Sequence, residues 1–152
     1  MGVEIANKQR RLRLNRKEIA ALAEKTIAME RADGDVSIVF VGRGKIIELN
    51  ERYLNEKGAT DVIAFPLQDD LHEDQGYLGE VVVCSDVAAD EAKARGLDPT
   101  EELYYYTVHG LLHILGHTDQ DAASRKRMNK RARAILAAFM KGAGGREATG
   151  ES

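Results

Sequence analysis

The spacing of apolar residues changes several times along the chain, and each change predicts a new element of secondary structure. Short runs rich in β-branched residues predict strands over residues 3–6, 36–41, 61–67 and 77–84. Apolar residues at intervals of three and four predict helices over about 16–32, 45–57, 86–95, 99–115 and 120–140. This order predicts a single α+β domain with about four strands in a mixed sheet flanked by helices.

Turn and capping residues mark the ends of several of these elements. Asn15 and Asp98 are good helix caps, and Pro99 suits the first position of the helix that follows Asp98. Pro66 predicts the end of a strand or an edge strand, since it cannot donate a ladder hydrogen bond. Gly116 predicts a left-handed turn at the end of the helix over 99–115.

Length and composition predict one domain and a tail. The 152 residues suffice for one hydrophobic core, which we assign to residues 1–140, while residues 141–152 lack an apolar face and predict a disordered tail. No apolar run reaches the length of a bilayer span, and the first residues do not resemble a signal peptide. The single cysteine, Cys84, cannot form an internal disulfide. We therefore expect a cytoplasmic protein that does not bind membranes.

The charges are unevenly distributed along the sequence. The net charge of −3 excludes a uniformly basic surface, but basic residues concentrate in segments 8–17 and 125–133. Acidic residues concentrate over 69–74 and at 101–102. Such basic segments are often only the solvated faces of amphipathic elements, but they can also bind the phosphates of a nucleic acid.

Three residues at the end of the fourth predicted helix have the spacing of a metal site. His109 and His113 are four residues apart, which places both imidazoles on one helix face, about 5–6 Å apart at Cβ. After the turn at Gly116, Asp119 can approach the two histidines from another direction. Three protein ligands leave a zinc ion one open position, which is typical of a catalytic site. The spacing therefore predicts a metal-dependent hydrolase.

Other residues leave alternatives to this site open. His117 could replace Asp119 as third ligand, or join it in a closed four-ligand shell, which would be structural rather than catalytic. His72 lies in the acidic loop and is interpreted as a solvated histidine. The ligand spacing matches the long zinc-protease pattern, but Gly110 stands where that pattern has its glutamate base. A metalloprotease is therefore disfavoured.

Three blocks of the sequence together resemble the YbeY family of bacterial rRNA maturation factors. The family signature resembles H-G-x-L-H-L-x-G-Y-D-H, and residues 109–119 read HGLLHILGHTD. The family's T-D-V-L-S-F-P appears as TDVIAFP at 60–66, and its L-G-D-I appears as LGEV at 78–81. The blocks have the order and separation of the family, and the resemblance covers roughly residues 3–140.

This resemblance implies an α+β fold and a single-strand-specific endoribonuclease with one zinc ion per chain. It also implies ribosomal RNA and a ribosomal subunit or its associated proteins as partners, and roles in rRNA maturation and ribosome quality control, with no DNA expected. Carried over by position, His109 and His113 are the first two metal ligands. An assembly factor that binds the ribosome through a structural metal site is the alternative.

The sequence departs from the family pattern at two positions. Asp119 stands at the position of the third ligand, which is a histidine in the family, and Leu54 stands where the family usually has an arginine before T-D-V. A carboxylate is a normal zinc ligand, but it adds a negative charge that repels phosphate. Arg52 or Lys57 are the nearby cations that could replace the missing arginine.

The resulting hypothesis is metal-assisted cleavage of an RNA phosphodiester. Because Gly110 has no side chain, another group must move protons, and we predict His117 as this catalytic residue, since histidine titrates near neutral pH. The basic segments are expected to hold the RNA backbone. Tyr104, Tyr105 and Tyr106 point in different directions around the helix, so at least one is expected in the core, and another could stack on a base.

Overall fold

The computed structural model describes residues 2–67 and 76–146. Within them, four strands and five helices form one α+β domain, as the sequence predicts. The acidic loop with His72 and the last part of the predicted tail, 147–152, lie outside the described residues. In chain order the elements are β1 (Val3–Lys8), α1 (Arg16–Met29), β2 (Asp35–Val41), α2 (Arg43–Leu54), β3 (Val62–Pro66), β4 (Tyr77–Cys84), α3 (Ser85–Arg95), α4 (Pro99–Ile114) and α5 (Ala122–Arg146).

The four strands form one mixed sheet in the order β1-β2-β4-β3. β1 and β4 both pair with β2 in parallel, and β3 pairs with β4 in antiparallel fashion. The prediction for Pro66 is confirmed, because Pro66 ends β3, which lies at one edge of the sheet, and β1 lies at the other edge. The predicted mixed sheet of four strands is therefore present within the described residues.

Helices cover both faces of the sheet. Successive residues of β4 point to opposite faces, so Val81 and Val83 join the larger core with α1, α4 and α5, while Val82 and Cys84 join a smaller core with Ile46 of α2. Buried residues of α5 complete the larger core: Met128, Ala132, Ile135 and Phe139. No helix among the described residues has the length and apolar character needed to cross a membrane.

Three helix ends differ from the sequence prediction. α2 ends at Leu54 rather than near residue 57, because Asn55 adopts a left-handed conformation with φ 54°. α1 ends at Met29 rather than near residue 32, because Arg31 adopts a left-handed conformation with φ 57°. The backbone N–H groups of Arg31 and Ala32 then bond to the carbonyls of Ala28 and Ile27, which is a Schellman motif. This end was missed because helices usually place glycine, rather than arginine, at that position.

α5 extends beyond the predicted domain boundary at residue 140. Its helix runs to Arg146, so residues 141–146 differ from the disordered tail that their composition predicts. Once a helix is formed, each added residue gains a backbone hydrogen bond, so helical structure can continue past Met140, the last residue of α5 that packs against the larger core among the described side chains.

Candidate metal centre

α4 carries the predicted metal face and begins where the sequence predicts. The Asp98 side chain caps the helix by accepting a hydrogen bond from the backbone N–H of Thr100, at 2.8 Å. Most of α4 is buried between the sheet and the neighbouring helices, but Tyr105, His109 and His113 are only partly buried. These three residues are spaced by four, so their rings follow one another along a single face of the helix.

The end of α4 explains how the chain turns back toward this face. Gly116 has φ 104°, a left-handed conformation that glycine adopts without steric cost. The N–H groups of Gly116 and His117 bond to the carbonyls of His113 and Leu112, at 3.1 and 3.0 Å, in a second Schellman motif. The predicted glycine turn is therefore present, and it precedes the loop that carries Asp119.

His109, His113 and Asp119 come together after this turn. One ligand atom from each residue lies within 4.8 Å of the other two. The imidazole rings of His109 and His113 stack with centroids 5.2 Å apart, and His113 Nε2 lies 3.5 Å from Asp119 Oδ2. Two donors on a tetrahedral zinc ion, each about 2.0–2.1 Å from it, are about 3.4 Å apart. The His113–Asp119 pair fits this spacing.

The state of His109 suits a metal ligand. Burial lowers the pKa of His109, the neighbouring His113 lowers it further, and the carboxylates of Asp61 and Asp119 oppose these effects without reversing them. The imidazole is therefore neutral near pH 7, which is the form that binds metals. His109 Nδ1 is buried and has no hydrogen-bond partner among the described residues. Such an atom costs free energy unless it finds a partner, and a metal ion can be one.

Asp61 approaches the same helix from the start of β3. Its Oδ1 accepts hydrogen bonds from the Val62 N–H at 2.8 Å and from Thr60 Oγ1 at 3.2 Å. Its backbone carbonyl accepts the N–H of Cys84 at 2.8 Å, which ties it to the sheet. Asp61 thus stabilises the start of β3 through these hydrogen bonds and places a negative charge near His109.

His117 is held away from the three ligand candidates by residues from other elements. Its Nε2 lies 2.6 Å from Glu30 Oε1, and the second oxygen of Glu30 accepts a hydrogen bond from Arg131 Nε at 2.7 Å. Arg131 also donates to the carbonyl of Met29 at 2.9 Å. Glu30 therefore links the end of α1 to α5 and to the loop between Gly116 and Asp119.

Glu30→Gln is expected to lower the free energy of unfolding at pH 7 by about 1–3 kcal/mol, because hydrogen bonds to a charged, poorly exposed group are lost. Burial raises the pKa of Glu30, but hydrogen bonds from Arg131 and His117 outweigh it, so the net shift is downward. The stabilisation is therefore present above the unfolded-state pKa and is lost as the pH falls through the folded-state value.

Urea unfolding of wild type and variant across an acidic pH series measures this effect. The exposed Glu24, also on α1, provides the control Glu24→Gln. Equal effects of the two substitutions at pH 7 would show that the Glu30 contacts do not stabilise the fold. If the difference in unfolding free energy between wild type and Glu30→Gln does not decrease at acidic pH, the charge of Glu30 is not the source of the stabilisation.

Two further residues singled out in the sequence, Gly110 and Leu54, are not among the ligand candidates. Gly110 packs against the sheet, where an added Cβ would lie 2.4 Å from Val81 Cγ1, so a glutamate base in the protease manner does not fit there. Leu54 is 48% exposed at the end of α2.

Sequence reasoning missed Glu30 and Arg131 as partners of the site loop, since no local pattern relates residues so far apart in the chain.

The comparisons with known proteins show the family to which this chain belongs. A family model described as endoribonuclease YbeY matches residues 4–140. The chain belongs to this family. Membership covers the sheet, the metal helix and most of α5, and it supports an endoribonuclease role.

Relatives named endoribonuclease YbeY match most of the chain. That of Beutenbergia cavernae is 33% identical over 150 residues, covering 93% of this chain and 99% of the relative. That of Staphylococcus carnosus is 36% identical over 109 residues, covering 68% and 71%. The solution structure of TM1509 from Thermotoga maritima has the same fold, with a TM-score of 0.66, 22% identity, and coverage of 95% and 93%.

Proposed function

We propose that the protein is a zinc-dependent, single-strand-specific endoribonuclease that acts in the cytoplasm in rRNA maturation and ribosome quality control. The observation that carries the proposal is the convergence of His109, His113 and Asp119 in a chain of the endoribonuclease YbeY family. The substrate is RNA, and the ribosomal subunit or its associated proteins are the expected partners.

One zinc ion per chain is proposed to bind to His109, His113 and Asp119. Two imidazoles and one carboxylate form a donor set that zinc accepts, and three ligands leave a position open. Bound there, zinc supplies Lewis-acid chemistry to a phosphodiester. The charge of Asp119 offsets half of the ion's charge, so the centre attracts phosphate less strongly than one with three neutral ligands.

His117 is proposed to be the residue that moves a proton. Its Nε2 is engaged by the Glu30 carboxylate, which favours the tautomer with the proton on that nitrogen. Nδ1 is then the nitrogen that can accept a proton from a reacting group. In this arrangement the Glu30 carboxylate holds the His117 base in one tautomer, and Arg131 neutralises the charge of that carboxylate.

The engagement of His117 by Glu30 also favours an open metal site over a closed one. A four-ligand shell would require His117 to leave Glu30 and turn toward Asp119. That change would leave Glu30 and Arg131 partly buried without the histidine. The assembly-factor alternative depends on such a closed shell and is therefore less well supported.

The proposal is tested by measuring zinc per chain and cleavage of a single-stranded RNA, with and without a chelator. Wild type should hold close to one zinc ion and cleave RNA only without chelator. His113→Ala should lose both zinc and cleavage. His117→Ala should keep zinc and lose cleavage by about 10²–10⁴-fold, the usual contribution of a general acid or base.

Two other outcomes would contradict the proposal. Zinc that is lost in His117→Ala, in a protein without metal-dependent cleavage, would indicate a closed structural site and an assembly role. Cleavage that survives the chelator and His113→Ala would show that this metal centre does not perform the reaction. A double-stranded RNA of the same sequence tests the strand specificity.

A further inference from the structure

A third aromatic ring lies in line with the two metal-binding histidines. Tyr105 precedes His109 by four residues on the same partly buried face of α4. The rings of Tyr105 and His109 are in edge contact, with centroids 5.9 Å apart and an interplanar angle of 78°. The three rings therefore form a row along α4. Tyr105 is the member of this row that lies outside the metal centre.

Two residues of α5 hold the Tyr105 ring. The phenol donates a hydrogen bond to Asn129 Oδ1 at 3.1 Å, and the Arg133 guanidinium lies over the ring, 4.6 Å from its centroid. Asn129 and Arg133 are four residues apart, so they face the tyrosine from one side of α5. A cation in this position is attracted by the face of the ring.

Among the residues that the structure describes, Arg133 has no acidic partner, in contrast to Arg131 and Arg95. Arg131 is hydrogen-bonded to Glu30, and Arg95 lies 3.6 Å from Glu102. Within residues 2–67 and 76–146, no carboxylate lies within 4.0 Å of the exposed Arg133 guanidinium. The ring contact occupies one flat side of this group and leaves the N–H donors at its edge to an anion.

We propose that Arg133, held on Tyr105, binds a backbone phosphate of single-stranded RNA next to the phosphate that is cleaved. The inference rests on the proposed function and adds the group that aligns the RNA strand with the metal centre. The Tyr105 ring contacts both His109 and the Arg133 guanidinium, so a strand that runs along this face of α4 from the metal centre reaches the guanidinium.

The chemistry favours phosphate over a base as the group bound here. Arg133 covers the ring face on which a base would stack, whereas a guanidinium binds phosphate oxygens with two parallel hydrogen bonds. Because Tyr105 holds the guanidinium in place before RNA binds, less side-chain entropy is lost on binding. Lysine would keep the charge but not the paired hydrogen bonds.

The test compares Arg133→Gln, Arg133→Lys and the control Lys141→Gln in the zinc-loaded full chain. Lys141 is an exposed cation of α5 outside the basic segment 125–133, so its loss removes the same charge from the same helix. The probe is a fluorescent single-stranded RNA oligonucleotide, and its initial anisotropy after rapid mixing gives Kd before cleavage occurs. Cleavage rates give kcat and KM for the same variants.

Arg133→Gln should raise Kd and KM about tenfold, while Lys141→Gln raises them less than about threefold. The slope of log Kd against log salt should fall by about 0.7 in Arg133→Gln alone, as expected for one lost phosphate contact on a single strand. Arg133→Lys should keep the slope and show an intermediate Kd.

Equal effects of Arg133→Gln and Lys141→Gln on Kd and on the salt slope would overturn the subsite, and zinc-dependent cleavage by wild type would then still support the proposed function. A selective effect of Arg133→Gln in a protein that binds RNA without cleaving it would support the subsite and overturn only the cleavage. Absence of any RNA binding by wild type would overturn both.

Discussion

Asp119→Ala is expected to reduce zinc affinity and RNA cleavage by at least about 100-fold. Loss of an outer contact to a metal ligand already costs about 10–100-fold in affinity or activity, and loss of a direct ligand costs more. Asp119 is the ligand candidate contributed from beyond the glycine turn, so only two imidazoles of the three-residue group remain without it. Zinc per chain, competition with a chelator and the rate of cleavage of single-stranded RNA measure the effect.

Two further substitutions in the same loop test the effect of the Asp119 charge and provide a control. Asp119→His restores the residue type implied by the family resemblance, so it should retain zinc and cleave RNA several-fold faster, because one negative charge facing the phosphate is removed. Thr118→Ala, at the exposed neighbouring position, should leave both properties unchanged. Full zinc content in Asp119→Ala would mean that the third ligand is another residue, and slower cleavage by Asp119→His would contradict the charge argument.

Gly110→Ala is expected to lower the free energy of unfolding by about 1–3 kcal/mol, the usual cost of overpacking a core, or somewhat more. The added Cβ would lie 2.4 Å from Val81 Cγ1 and 2.8 Å from Val62 Cγ2, and both distances are shorter than van der Waals contact. Both neighbours are β-branched side chains on the sheet and have little freedom to move. Either α4 shifts outward with its histidines or the strain remains.

Gly44→Ala on α2 is the matched control, since no atom lies within 4 Å of its added Cβ. Alanine is a better helix former than glycine, so this substitution should stabilise the protein by up to about 1 kcal/mol. Urea unfolding in the presence of a chelator separates packing from metal binding. An unchanged stability of Gly110→Ala would show that α4 and the sheet can separate without cost.

Much of the fold follows from local sequence signals. β4 begins and ends at the predicted residues, Tyr77 and Cys84, because its three consecutive valines at 81–83 are a strong strand signal. α4 begins at Pro99 after the Asp98 cap, since the capping signal is short and specific. The end of α1 was predicted too far along because Arg31 takes a conformation for which its side chain gives no signal.

The metal centre was predictable in part. The spacing of His109 and His113 and the glycine after α4 are local features, so the sequence indicated both which residues share a face and where the chain turns. It left His117 and Asp119 as alternatives for the third ligand. The structure groups Asp119 with the histidines and pairs His117 with Glu30, but the assignment of ligands and of the catalytic residue stays a proposal.

The sequence by itself determined the helix that carries the histidines, the turn after it and the positions of the strands, because helix capping, turn conformation and side-chain period act over a few residues. Tertiary structure alone decided the partners of that helix. Glu30 meets His117 across 87 positions and Arg131 across 101, and Arg133 reaches Tyr105 from a different helix. Such pairs form only when the shared core brings α1, α4 and α5 together, and no spacing along the chain encodes them.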